Sequence, residues 1–349
     1  MGQLTRRGFL IAAGSTAAAL FAGCTPRAPS GLTAAPTTDA IAPGATSSPG
    51  PAMSAESAPD KIVITSNTEF YEQSYNRIVQ VEPSQYVLTV DGLVDTPLTL
   101  ELSDLKALRS DTFMRTLECI GNPVGGPLVG NANWKGFKVS DLLSRTRIQS
   151  QATHARFQAA DGYFTSVELA WLLQPDTILV YEMNGEPLPA AHGYPLRILM
   201  PGLYGQKMPK WITRIEFIDH AEVGIWEMQG WDYIASVKTN SILQRPESGQ
   251  VHAGPQSVYG VAFAGKRGVT AVQVQVDDGE WKEARLLKGP QYVWTQWALD
   301  WEATPGRHTL AVRASDAEGF TQSARASGLL DSVYPAGTDA IHSITVQVV

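Results

Sequence analysis

Cysteine is nearly missing from this chain: two residues among 349, Cys24 and Cys119. Two thiols cannot build a disulfide framework, and no CxxC, CxxCH, HExxH, GxSxG, P-loop or GxGxxG pattern occurs. Zinc hydrolase, serine hydrolase, haem and nucleotide chemistry lose their usual carriers together. The six histidines are scattered. Basic residues number 27 against 34 acidic ones. That balance runs opposite to the basic footprint that nucleic-acid binding requires. Beyond the N terminus no apolar run approaches the roughly 20 residues of a membrane span.

The first residues are rich in information. Arg6 and Arg7 precede an apolar stretch from Phe9 to Ala22, too short for a span and typical of a secretory signal. "TRRGFL", Thr5 to Leu10, has the twin-arginine form of such signals. "LFAGC", Leu20 to Cys24, resembles a bacterial lipobox. The expectation is a Tat signal over residues 1–23, a lipid anchor at Cys24 and a flexible linker over 24–58. The linker is dominated by Pro, Ala, Thr, Ser and Gly, a composition that cannot bury a core. This predicts a lipoprotein facing the periplasm or cell exterior. Removing residues 1–23 takes away two arginines and no acid, so the charge moves from −7 to −9.

From Lys61 the composition becomes globular. "QYVLTVDGLV" reads as strand and turn. "LSDLKAL" (102–108) reads as a short helix with Ser103 as N-cap, and "VSDLLSRT" (139–146) repeats the device with Ser140. "SVELAWLLQ" (166–174) is a third short helix. "TFMRTLECI", "TILVYEM" and "PLRILMPG" read as strands between them. This predicts an α+β domain over residues 59–222. The remainder, 223–349, alternates with period two, as in Val272, Val274 and Val276, and turns at Asp278–Gly279. That pattern predicts a β-sandwich.

On count alone Cys119 reads first as a small buried apolar residue, ahead of a functional thiol. Two longer segments decide between these. "ECIGNPVGGPLVGNANWKGFKVSDLL" (118–143) is similar to the cysteine segment of the sulfite oxidase family of molybdenum enzymes. "NGEPLPAAHGYPLRILMPGLYGQKMPKWITRIEFID" (184–219) is similar to that family's pterin-phosphate segment, and the C-terminal part resembles its immunoglobulin-like dimerisation domain. The resemblance runs through residues 61–349 in order.

The resemblance implies a molybdenum–molybdopterin cofactor with Cys119 as the protein's metal ligand. A soft thiolate suits a metal otherwise held by sulfur. It implies that His192, Arg197, Met208, Pro209 and Lys210 contact the cofactor's pterin and phosphate, with Lys207 as a weaker second cation. Arginine gives a charge-assisted fork for phosphate oxygens. It further implies cofactor contacts from Phe70, Tyr71, Glu72, Gln73 and Asp161, and a catalytic Tyr233 beside the metal. The tail implies a homodimer.

The family's sulfite-binding arginines have no counterpart: Val124 stands five residues after Cys119, and Glu72 stands in the early segment. An unpaired dianion is costly to desolvate. The expected activity is therefore oxygen-atom transfer on a less charged S- or N-containing substrate, with sulfite oxidation and a non-catalytic binding module as the competing readings. No haem or Fe–S ligand pattern is present, so the electrons are expected to pass to an external partner, a cytochrome or quinone-linked protein.

Overall fold

The computed structural model describes residues 57–323 and 333–349. The twin-arginine signal, Cys24 and nearly all of the linker lie outside the described residues. The described residues form one compact unit.

Ten strands make the N-terminal part: β1 (Val87–Gly92), β2 (Leu98–Glu101), β3 (Asp111–Glu118), β4 (Val129–Lys138), β5 (His154–Ala159), β6 (Phe164–Glu168), β7 (Ile178–Met183), β8 (Glu186–Pro187), β9 (Arg197–Leu199) and β10 (Ile212–Ile218). They form two sheets. One has the order β2-β1-β10-β5-β6, with β1 parallel to β10 and the other pairs antiparallel. The other has the order β3-β4-β7-β8, with β9 also on β7. Alternation drives the first sheet: Leu88 and Val90 of β1 are buried while their neighbours face outward or sit at half depth. Leu88, Leu105, Trp134, Phe137, Phe157 and Phe217 belong to the shared apolar core.

The helices are shorter than the sequence predicts. α1 is Leu102–Lys106, α2 is Val139–Leu143 and α3 is Leu169–Leu172. Strand far outweighs helix among the described residues, and the α+β expectation is corrected accordingly. Segments this short have no independent helical stability, so the flanking strands leave each only about a turn. Ser103 is not the cap of α1. That role falls to Glu101, whose N–H donates to Asp104 Oδ2 at 2.9 Å. Ser140 likewise lies inside α2 rather than at its cap.

The C-terminal part holds β11 (Asn240–Arg245), β12 (Gly249–Val251), β13 (Gly254–Phe263), β14 (Val269–Val276), β15 (Lys282–Glu283), β16 (Arg285–Lys288), β17 (Thr295–Ala303), β18 (Gly306–Asp316) and β19 (His342–Val348). Two sheets, β11-β13-β17-β16 and β12-β19-β18-β14-β15, enclose a core that includes Val258, Val272, Val274, Trp297, Trp301, Val312 and Val346. Irregular chain connects β10 to β11, and it folds back over the N-terminal part. Ala235 and Val237 from that connection share a core with Ile120 and Tyr204 on one side and Ile242, Val261 and Phe263 on the other.

Candidate active site

Strand β3 ends at Glu118, and Cys119 is the next residue. Its N–H donates to Leu128 O (2.9 Å), and its own carbonyl accepts from Asn122 N–H (3.0 Å). The thiol is thus presented on a tight turn at the strand end. Burial raises its pKa, a backbone N–H from Gly121 opposes that, and the Glu118 carboxylate adds to the rise. Among the described residues no group of three or more His, Cys, Asp or Glu converges. A metal on Cys119 must therefore bring most of its donors with it.

The thiol opens on a cavity of about 240 Å³. Phe70, Tyr71, Gln73 and Asp161 line it, as do His192, Arg197, Met208, Pro209 and Lys210. Ten of the residues expected at the site, with Cys119, are brought together. His192 ends a single 3-10 turn (Ala190–His192), donates Nε2–H to Asn67 O (2.9 Å) and meets the Phe70 ring edge-on at 5.5 Å. Burial lowers its pKa. Gly193 follows with φ +113°, and a Cβ there would stand 3.0 Å from Lys210 Cβ and 3.1 Å from Arg197 Cβ. Glycine lets the two cationic stems come together at this point.

Arg197 opens β9 and is buried. It donates to His192 O (3.1 Å) and lies 5.3 Å from the Trp134 ring centre. Burial brings its pKa down to about 10. Lys210 donates to Ser74 Oγ and to Ala191 O, each at 2.7 Å. Burial, reinforced by Arg197, lowers its pKa to about 7, while Asp161 and Glu72 act in the opposite sense. Neither Arg197 nor Lys210 forms a salt bridge among the described residues. Arg197 Nε is buried without a partner. Buried cations with unmet hydrogen-bonding capacity call for an anion with several acceptor oxygens. The residues present thus fit a phosphate-bearing cofactor whose metal reaches Cys119.

Four expectations are corrected. Tyr233 does not line the cavity. Its hydroxyl donates to Ser166 Oγ (3.0 Å), whose own proton goes to Glu222 O, and its ring centre lies 4.5 Å from Lys207 Nζ. Glu72 is exposed and off the cavity wall. Val124 is off the wall too, so the charge of the cavity is set by other residues. Lys207 is 1% exposed and forms a buried ion pair with Glu227, also donating to Thr165 Oγ1 (3.1 Å) and Ser166 O (3.0 Å).

Sequence reasoning missed the aromatic wall: Tyr75, Tyr163, Trp226 and Trp231. Tyr75 packs on Tyr163 (6.2 Å) and edge-on to Trp226 (6.1 Å). Trp231 approaches Gly121, beside the Cys119 sulfur. Gln206 ties this wall down by donating to Glu227 Oε1 and Asp232 O, both at 3.0 Å, and Tyr163 donates to Gln206 O at 2.6 Å. The available signal was aromatic density in "GIWEMQGWDY" (224–233), a glycine-punctuated loop with no strand or helix period.

Residues 75–226 match the family described as oxidoreductase molybdopterin binding domain. The sulfite oxidase of Arabidopsis thaliana is 30% identical over 278 residues, 64% of this chain and 71% of that one. The chain belongs to the sulfite oxidase family. Mitochondrial sulfite oxidase of Drosophila melanogaster is 29% identical over 285 residues; this family member spans 50% of that relative's length. The solved structure of sulfane dehydrogenase SoxCD from Paracoccus pantotrophus superposes with a TM-score of 0.71 at 22% identity, covering 81% of each chain. That likeness places this member of the sulfite oxidase family in the same fold. The molybdopterin binding domain implies the molybdenum cofactor, and its matched range carries Cys119, His192, Arg197 and Lys210.

Proposed function

We propose that this chain is an extracytoplasmic molybdenum-cofactor oxidoreductase acting on a small, weakly charged S- or N-containing substrate such as a sulfoxide or N-oxide. One observation carries the reading: the Cys119 thiol opens on the same cavity as the buried cations Arg197 and Lys210 and the imidazole of His192. When bound, the cofactor supplies two-electron oxygen-atom transfer. The protein's own residues then have separable tasks. Cys119 anchors the metal. Arg197 and Lys210 would neutralise the cofactor's phosphate, and their burial strengthens such contacts. His192 is held in place through Asn67 O.

Substrate preference follows from the wall around the thiol. Ile120, Leu128, Trp226, Trp231, Tyr75 and Tyr163 supply it, and Arg197 is the single arginine lining the cavity. A sulfite dianion would lose its hydration there without charge compensation, whereas a dialkyl sulfoxide would bury alkyl groups against aromatic faces. The strand orders of the two C-terminal sheets correspond to A-B-E-D and A′-G-F-C-C′ of immunoglobulin-type sandwiches. That correspondence supports an immunoglobulin-like dimerisation domain. The signal pattern supports Tat export with lipid anchoring at Cys24, and electrons pass to an external carrier.

The test is metal and pterin analysis of chain exported from a Tat-competent host, with turnover of sulfite and sulfoxides followed by dye electron carriers. Stoichiometric molybdenum, lost in Cys119→Ala while the fold persists, is the expected result. Folded wild-type chain without molybdenum would overturn the enzyme reading. Sulfite turned over as fast as the best sulfoxide would overturn the substrate preference.

A further inference from the structure

The turn that presents Cys119 is not held by its own sheet alone. Glu118, directly before the thiol, is 3% exposed. Both its carboxylate oxygens accept from Nδ2 of Asn240, at 3.1 and 2.9 Å. Asn240 is the first residue of β11, on the sandwich side of the molecule, 122 residues along the chain. Asn122 Nδ2 also donates to Glu118 Oε1 (3.0 Å), and Asn122 Oδ1 accepts the Leu128 N–H (2.9 Å). Those contacts brace the turn from Cys119 to Leu128 from inside. Asn122 and Asn240 are 4% and 7% exposed, so each bond is made away from water and is costly to leave unmade. Two more sandwich contacts reinforce the brace. Ile120 packs with Ile242, Val261 and Phe263. The backbone at Gly125, with φ +70°, lies so close to the His342 ring of β19 that any Cβ there would collide with it.

We infer that Asn240 is a positioning residue for Cys119, acting through Glu118 and Asn122 to fix the turn on which the thiol is presented. The consequence at the metal rests on the function proposed above; the effect on the turn does not. The sandwich is therefore a structural part of the active site.

The test uses the full chain made without cofactor. Hydrogen exchange is followed by mass spectrometry on peptides spanning 119–128, which contain the bonded amides of Cys119, Asn122, Gly126 and Leu128. Asn240→Ala should speed exchange there about tenfold, as local opening does, and leave peptides from β13 and β17 unchanged. Asn240→Asp, setting carboxylate against carboxylate, should speed it further. Adding Glu118→Gln to Asn240→Asp restores a donor–acceptor pair and should return the rate toward wild type. If Asn240→Ala does not accumulate folded, the last two variants carry the same comparison. In loaded enzyme, Asn240→Ala should shift the Mo(V) resonance at unchanged molybdenum content. An unaltered rate at 119–128, equal acceleration throughout the sandwich, no recovery in the double variant, or an unshifted resonance overturns the assignment. Wild-type chain that folds without molybdenum would sink the functional reading while leaving the exchange result intact.

Discussion

The cavity has two walls built on different principles. The cationic wall, Arg197 and Lys210 with the imidazole of His192 beside them, is set on or beside strand ends and brings two buried cations to the cavity without a salt bridge among the described residues. The aromatic wall, Trp226 and Trp231 with Tyr75 and Tyr163, is carried mainly by irregular chain and backed by a buried ion pair, although Gln206 Oε1 and Glu227 Oε2 stay without hydrogen-bond partners. Lys207 and Glu227 pair beneath it, and Gln206 and Thr165 bond to the same carboxylate. One wall is polar and holds cations without salt bridges among the described residues; the other is apolar and rests on a buried ion pair. The first fits a constant anionic partner, and under the proposed function the second is where the substrate is selected.

The sharpest way to separate the walls is to remove the support of one. Lys207→Met leaves Glu227 buried and unpaired, which should cost about 3–5 kcal/mol in denaturant unfolding. Cofactor content should hold in the fraction that remains folded, while KM for the substrate rises. Equal loss of cofactor and substrate affinity would mean that the walls are one unit. A second variant alters the aromatic wall's charge. Trp231→Arg sets a guanidinium near the thiol and should raise kcat/KM for sulfite relative to a neutral sulfoxide by on the order of tenfold; an unchanged ratio would show that charge at this wall does not choose the substrate.

The smallest effect tests the cationic wall by pH. Lys210 has its folded pKa depressed to about 7, so its ammonium form is lost as pH rises through that value. Sulfate, which keeps its charge across this range, should bind the cofactor-free chain about threefold more weakly for each pH unit between 7.5 and 9. Lys210→Met should flatten that slope. A slope that persists in the variant would assign it to another group.

Much of this was legible in the sequence, for identifiable reasons. The β1 and β14 strands announce themselves because alternate residues are buried, a local pattern. Cys119, His192, Arg197 and Lys210 stand out in the sequence because their motifs name the chemistry, and all four line one cavity. Lys207 and Lys210 sit three apart in one motif, yet one faces the cavity and the other faces Glu227. That carboxylate lies twenty residues downstream, and nothing local reveals the pairing. Tyr233 was expected beside the thiol, and Trp231 lines the cavity instead, for a similar reason. In a loop without period, residues two apart have no fixed relative orientation, and the ammonium of Lys207 draws the tyrosine ring away from the thiol. The helices were overestimated because apolar spacing shows a turn's presence but not how much room the adjoining strands leave it.

The brace across Glu118 and Asn240, with His342 against Gly125, has a consequence for biosynthesis. Contacts so distant in sequence close late in folding, and one partner belongs to the last strand of the chain. The pocket around the thiol therefore reaches its final shape only after β19 has been made. Insertion of the metal group must follow synthesis through β19, and truncation within β19 should leave a cysteine turn that folds in outline but receives nothing.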